Sequence, residues 1–213
     1  MTVATRCGHP CGATSYRGWR PAPFPSRGGF TLIELLVTIS IAIILATVAV
    51  PSFQDFYRNT RMATISNDFI ASLVLARSEA GRRGKNVALC KSSNGAACAG
   101  AGVNWEAGWI VFVNLDNDSP AAVDAGEPIL RTYTALHSGY TLRPTANFTN
   151  FLSMRPSGES NNIGSFVLCE NNAVANSRVI FVVRSGRPRL GADTNNNQIP
   201  EDENGVDIGT CTP

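Results

Sequence analysis

Three arginines crowd together late in the chain. In RVIFVVRSGRPRLG (178–191), Arg184, Arg187 and Arg189 surround Gly186 and Pro188, and Arg178 opens the stretch. Glycine admits a sharp bend, and proline stiffens the backbone beside it. Planar guanidinium groups on such a bend can fork onto phosphate oxygens. Contacts of that kind would hold nucleic acid without reading its sequence. Arg187 and Arg189 are the first candidates, with Arg184 and Arg178 in support. The competing reading is a solvated strand end, where arginine is common.

An acidic stretch opposes the basic one. DTNNNQIPEDENGVD (193–207) carries five carboxylates and no Lys or Arg. It must point away, be neutralised by a cation, or weaken binding. Asp193, Asn195 and Asn197 match the opening ligand positions of an EF-hand loop. Gln198 stands where that loop needs glycine, however, and Asn204 where it needs its closing glutamate, so an EF-hand is excluded. DNDSPAAVDAGE (116–127) is a second acidic loop with oxygen ligands suited to calcium. A solvated loop is the default for both, and no metal site is assigned. Cys-Gly-His-Pro-Cys at 7–11 offers too few ligands for a closed zinc site.

Catalysis is not expected, and no cofactor is implied. Beyond residue 29 the one histidine is His137, and no G-x-S-x-G, P-loop or H-E-x-x-H pattern occurs. A lone histidine near a strand is structural more often than catalytic.

The remaining chemistry is a single carboxylate in an apolar run. From Phe30 to Gln54 the one charged residue is Glu34. An acidic side chain at the centre of a membrane span costs ~2.5–3.5 kcal/mol on insertion scales. It needs a partner, or a place near the interface to which it can snorkel.

These residues must be held by a small number of elements. Phe30 to Val50 is 21 residues without Pro or Gly, enough to cross one hydrocarbon core as a helix. Arg6, Arg17, Arg20 and Arg27 precede it with no acid among them, as in a secretory signal. The small residues Gly28 and Gly29 lie before the run, and Pro51, Phe53 and Phe56 come after it. The span is therefore expected to be kept and any cut to fall in front of it. The whole chain has 18 Lys+Arg against 16 Asp+Glu, but residues 30–213 have 14 against 16, a net −2. Bulk charge thus says little about partners, and a nucleic-acid argument must rest on a local patch.

Past Pro51, Ile65, Phe69, Leu73, Ala76 and Ala80 recur at helical spacing and predict one buried face. Gly81 and Gly84, with Arg82 and Arg83 between them, predict the helix end. Cations there need no partner to explain them. Strand-like runs come next at 86–92, 108–114, 129–136, 140–145, 164–170 and 177–186. One long helix before short strands is an α+β pattern, with the helix laid on an antiparallel sheet. Cys90, Cys98, Cys169 and Cys211 lie in this part, and four cysteines allow three connectivities. Cys90–Cys98 and Cys169–Cys211 are favoured, since each closes a loop rich in Gly, Asn or Asp. Four reduced, buried thiols are the alternative.

Gly, then Phe-Thr-Leu-Ile-Glu, then an apolar run and a proline closely resembles the class III signal of type IV pilins and type II secretion pseudopilins. The resemblance covers about residues 28–60. It implies that a prepilin peptidase cuts after Gly29 and methylates the amine of Phe30. It also implies that Glu34 pairs with the terminal amine of a neighbouring subunit, so that a costly carboxylate sets register in a filament. VALCKSSNGAAC, W-x-x-G-W-I-V-F (105–112) and DAGEPILR resemble the FimT/GspH branch, which comprises minor pilins and H-type pseudopilins. There Trp109 is expected in the core of a central strand. Gly-Arg-Pro-Arg (186–189) resembles the G-R-x-R element of FimT-like minor pilins that bind DNA in natural transformation. The implied organisation is a leader at 1–29, a pilin helix at 30–83 that spans the membrane over 30–50, and a β-rich head at 84–213. The implied setting is a single pass of the bacterial inner membrane with a periplasmic head, then a pilus or pseudopilus, with a tip position and other pilins and DNA as partners. The alternative is a structural priming subunit or H-type pseudopilin with no nucleic-acid role.

Overall fold

The computed structural model describes residues 29–212. The stretch expected to be a leader therefore lies almost entirely outside the described residues, Cys7 and Cys11 included. Helix α1 runs Leu32–Arg83 and passes through Pro51 without ending. Thr31 precedes it, and its Oγ1 accepts a hydrogen bond from the Glu34 N–H at 3.3 Å. This is an N-cap, and Thr-x-x-Glu is a capping pattern. Glu34 therefore sits in the first turn, where the positive helix end favours a carboxylate.

The chain divides into two compact units, residues 1–49 and 50–213. In the first, the apolar run is exposed along its whole described length, and α1 is long and apolar enough there to cross a membrane. In the second, Met62, Ser66, Phe69, Ser72, Leu73, Ala76 and Ala80 are the buried face of α1. The predicted stripe is there, with Ile65 only half-buried. Sequence pattern missed Ser66 and Ser72 because they are polar. Each hydroxyl is satisfied within the helix, by Ala63 O and Phe69 O, and the small side chains let the sheets come close.

Eight strands are formed among the described residues: β1 Asn86–Lys91, β2 Trp109–Asn114, β3 Ile129–Tyr133, β4 Tyr140–Pro144, β5 Phe151–Met154, β6 Gly164–Glu170, β7 Ala173–Val182 and β8 Pro188–Leu190. They form two antiparallel sheets, ordered β3-β2-β1-β5 and β4-β6-β7-β8. The α+β architecture holds, but the single sheet expected is two. Strands β5 and β8 were not predicted; at four and three residues they are too short for alternation to declare them.

The inner faces of both sheets pack on α1. Phe69 is the centre, its ring edge-on to Trp105 and Trp109 at 5.9 and 5.3 Å and tilted on Phe166 at 4.5 Å. Trp109 is buried on β2, an interior strand, as its motif implied. The first half of that motif is instead a short 3-10 turn, Trp105–Ala107. Gly108 joins the two halves at φ 114°, and a Cβ there would lie 2.6 Å from Tyr133 O. Only glycine fits that approach.

Each outer face is covered by loop. Ala88, Cys90, Ile110 and Phe112 on the first sheet lie under Ala121, Val123 and Cys98. Val167, Cys169, Val179 and Phe181 on the second lie under Ile208 and Cys211. One disulfide fastens each cover: Cys90–Cys98 and Cys169–Cys211, eight and 42 residues apart in sequence.

Candidate nucleic-acid interface

The arginine-rich stretch is a hairpin. Strand β7 ends at Val182, sooner than the sequence pattern suggested, so Arg184 lies in the connection rather than in a strand. Gly186 N–H donates to Val183 O at 2.8 Å, and Gly186 has φ 68°. Three residues that end in a left-handed glycine make a standard hairpin loop. Pro188 then opens β8, an edge strand, where a missing N–H is tolerated.

This hairpin tip rests on a second one. The turn at 155–159 is closed by Arg155 N–H to Glu159 O at 2.8 Å. Ser160 N–H donates to Arg184 O at 3.0 Å, which bonds one tip to the other. Arg77 on α1 lies beneath both. Its Nε–H is shared between Gly158 O and Ser185 O, each at 3.1 Å. Gly186 is buried in the angle, where an added Cβ would collide with Gly158 O and fall 3.0 Å from Met154 Sδ. The arginine turn is thus locked from below by a guanidinium and a glycine. Neither Arg77 nor the 155–159 turn stood out in the sequence, since the contacts that join them to the arginine turn bridge long stretches of chain.

Arg184, Arg187 and Arg189 are exposed, and none of them makes an ion pair among the described residues. Arg189 lies opposite Phe181 in the β7–β8 register, and its guanidinium stands 5.9 Å from that ring. It is therefore on the outer face of the second sheet. Arg178 is not brought to this group. It shares the parity of Ile180 and Val182, which face α1, and it lines a cavity of about 300 Å³ with Asp193. Arg82 and Arg83 are also apart in role: both bond the Glu79 carboxylate, each as close as 2.6 Å.

The acidic stretch 193–207 is anchored at two places: Asn176 N–H donates to Gln198 O at 2.6 Å in the first half of β7, and Glu201 N–H donates to Ala192 O at 3.0 Å just beyond β8. A Cβ at Gly191 would lie 3.4 Å from Glu201 O and 3.3 Å from the Phe181 ring, so the stretch passes close to the ring over which Arg189 stands. Four of the five carboxylates of the acidic stretch accept hydrogen bonds from the loop itself, and Glu203 is exposed. Asp193 accepts from Asn197 and Gln198 N–H, Glu201 from Thr194, Asp202 from Asn204 and Val206 N–H, and Asp207 from the amides of Asn195 and Asn197. The Thr194 bonds hold the Glu201 carboxyl below its ordinary pKa, and backbone N–H groups do the same for Asp202.

The other acidic loop folds against β2. Asp116, Asp118 and Asp124 bring one oxygen each within 4.8 Å of one another. Burial, then hydrogen bonding and the neighbouring carboxylates, act on Asp118, with a net rise in its pKa. Both Asp118 oxygens already accept protein donors, from Asn114 Nδ2 and Ala122 N–H. His137 lies beside Ser138 at 3.4 Å, with no acid–base partner among the hydrogen bonds of the described residues.

Comparison with known proteins gives this architecture a family. Residues 66–186, more than half of the chain, match the family model described as Type II transport protein GspH. Residues 25–50 match the prokaryotic N-terminal methylation motif. The type IV major alpha-pilin of Moraxella bovis is 42% identical over 43 residues, which is 20% of this chain and 27% of that protein. The chain thus matches about a quarter of the length of this curated relative. In fold it is similar to the crystal structure of the type IV minor pilin FimU of Pseudomonas aeruginosa, with a TM-score of 0.52 at 16% identity over 73% of this chain and 98% of FimU. With the head domain and the methylation motif both matched, the chain belongs to the GspH family and is a type IV pilin-like protein.

Proposed function

We propose that this protein is a FimT-like minor pilin that helps capture DNA for natural transformation, through phosphate contacts from Arg184, Arg187 and Arg189. The observation that carries this is the locked turn. It presents guanidinium groups that are exposed and without ion pairs among the described residues. The acidic stretch passes near Arg189, but four of its five carboxylates accept hydrogen bonds from their own loop and, among the described residues, none pairs with the three arginines. Arg178 is the weakest of the four candidates, because Asp193 shares its cavity. The protein acts by binding rather than by catalysis.

The N-terminal segment supports the rest of the reading. A prepilin peptidase removes residues 1–29 and methylates Phe30; residues 30–50 cross the inner membrane once; the head, 84–213, is periplasmic before assembly into a filament, near its tip. Glu34 sets register by pairing with a neighbour's terminal amine.

DNA binding is tested by titrating a labelled oligonucleotide with the mature chain in neutral detergent over a salt series. Two or three phosphate contacts give a log–log salt slope of about −1.4 to −2.7, without sequence preference. Arg187→Gln with Arg189→Gln should abolish binding and transformation while leaving the unfolding midpoint unchanged. Wild-type protein that stays unbound at low salt would instead support a structural priming subunit or H-type pseudopilin. The exposed apolar run favours that second reading as much as the first, since every filament subunit needs it.

A further inference from the structure

We infer that the phosphate-binding surface spans both hairpin tips, with Arg155 of the 155–159 turn as a further contact; this rests on the DNA-binding reading above. The two tips form one structure. Ser160 N–H bonds Arg184 O at 3.0 Å, and Arg77 Nε–H bonds a carbonyl of each tip at 3.1 Å. The buried Gly186 leaves no gap between them. Their spacing is fixed before any ligand arrives, so a strand laid on one tip meets the other without an ordering cost.

Charge selects Arg155. Its side chain is 50% exposed, and the carboxylate facing it, Glu159, stands at 3.9 Å, the outer limit of an ion pair. An exposed pair so loose holds its arginine weakly. At the nearby helix end, by contrast, Glu79 takes both Arg82 and Arg83 in close hydrogen bonds. Arg155 is therefore free to exchange Glu159 for a phosphate, whereas Arg82 and Arg83 are not. A nucleic-acid strand offers a phosphate every ~3.4 Å of axis, a spacing that a single tip cannot track far. A second tip lengthens the run and fixes the direction in which the strand lies.

The test is a salt titration of single-stranded oligonucleotide on the mature full-length chain in neutral detergent. Arg155→Gln should make the log–log slope about 0.7 shallower. The ratio of wild-type to variant affinity should then widen about 2.6-fold between roughly 0.2 M and 0.05 M salt. Arg155→Lys should keep the wild-type slope. Glu159→Gln should tighten binding in the wild-type background and not in Arg155→Gln, a coupling that mere support of the fold would not produce. An unchanged slope in Arg155→Gln, with binding still lost in the Arg187/Arg189 double variant, confines contact to one tip and overturns the inference alone. Wild-type protein that fails to bind overturns the inference and the DNA-binding reading together.

Discussion

A single methyl group at position 186 has nowhere to go. Gly186 combines φ 68° with a carbonyl oxygen, that of Gly158, where a Cβ would need to stand. Gly186→Ala should therefore destabilise the head by roughly 1–3 kcal/mol, seen as a lower urea midpoint, and should weaken DNA binding by moving Arg184 and Arg187. The sequence showed that a glycine bends here; it did not show what the bend is pressed against. Arg77 carried no signal of its own in the sequence, because its partners lie 81 and 108 residues away. Glu79 makes a second residue-scale prediction. Hydrogen bonds from Arg82 and then Arg83 hold its carboxyl at about 2, below the ordinary 4.5. A lowered folded-state pKa means that its contribution to stability is complete above pH ~4.5 and is lost as pH falls through about 2. Carbon-detected NMR titration should find the Glu79 midpoint near 2, and a midpoint near 4.5 would mean that the two arginines are not bound to it in solution.

At the scale of elements, the helix and the longer strands were readable because their periods are long enough to repeat. Phe69, Leu73, Ala76 and Ala80 marked the buried face of α1 correctly, and six of the eight described strands fell within or near predicted runs. The division into two sheets was not readable, since it depends on which edges pair, and alternation carries no record of that. The outer covers were hidden for a related reason: 92–104, 115–128 and the C-terminal segment look like loops, and they are loops, yet they bury one face of each sheet. Their disulfides should differ in effect. Loop-closure entropy gives about 4 kcal/mol for the Cys169–Cys211 closure and about 2.5 kcal/mol for Cys90–Cys98. The Cys169→Ser, Cys211→Ser variant should lose more stability in denaturant than the Cys90→Ser, Cys98→Ser variant. It should also bind an apolar dye as Val179 and Phe181 lose their cover.

For the molecule as a whole, the N-terminal segment was the most legible part, because a glycine, a lone glutamate and an unbroken apolar run have few other reasons to coincide. What pattern alone overlooked there is local: Thr31 caps the helix, so Glu34 has a place in the first turn before any neighbour is present. Glu34→Ala should insert into membranes as well as wild type, with N-terminal mass analysis finding a methylated Phe30 in both, yet should be poorly incorporated into filaments. Normal incorporation would reduce Glu34 to a helix-end carboxylate. Under the proposed function, the clamp at Arg77 has a mechanical consequence when tension acts on a bound strand. β8 is three residues long and would unzip readily from β7 if tension reached it through its own ladder. Because Ser185 O and Gly158 O are both tied to Arg77, traction at the tips is divided between two hairpins and passes straight into α1, sparing the weakest strand from peeling.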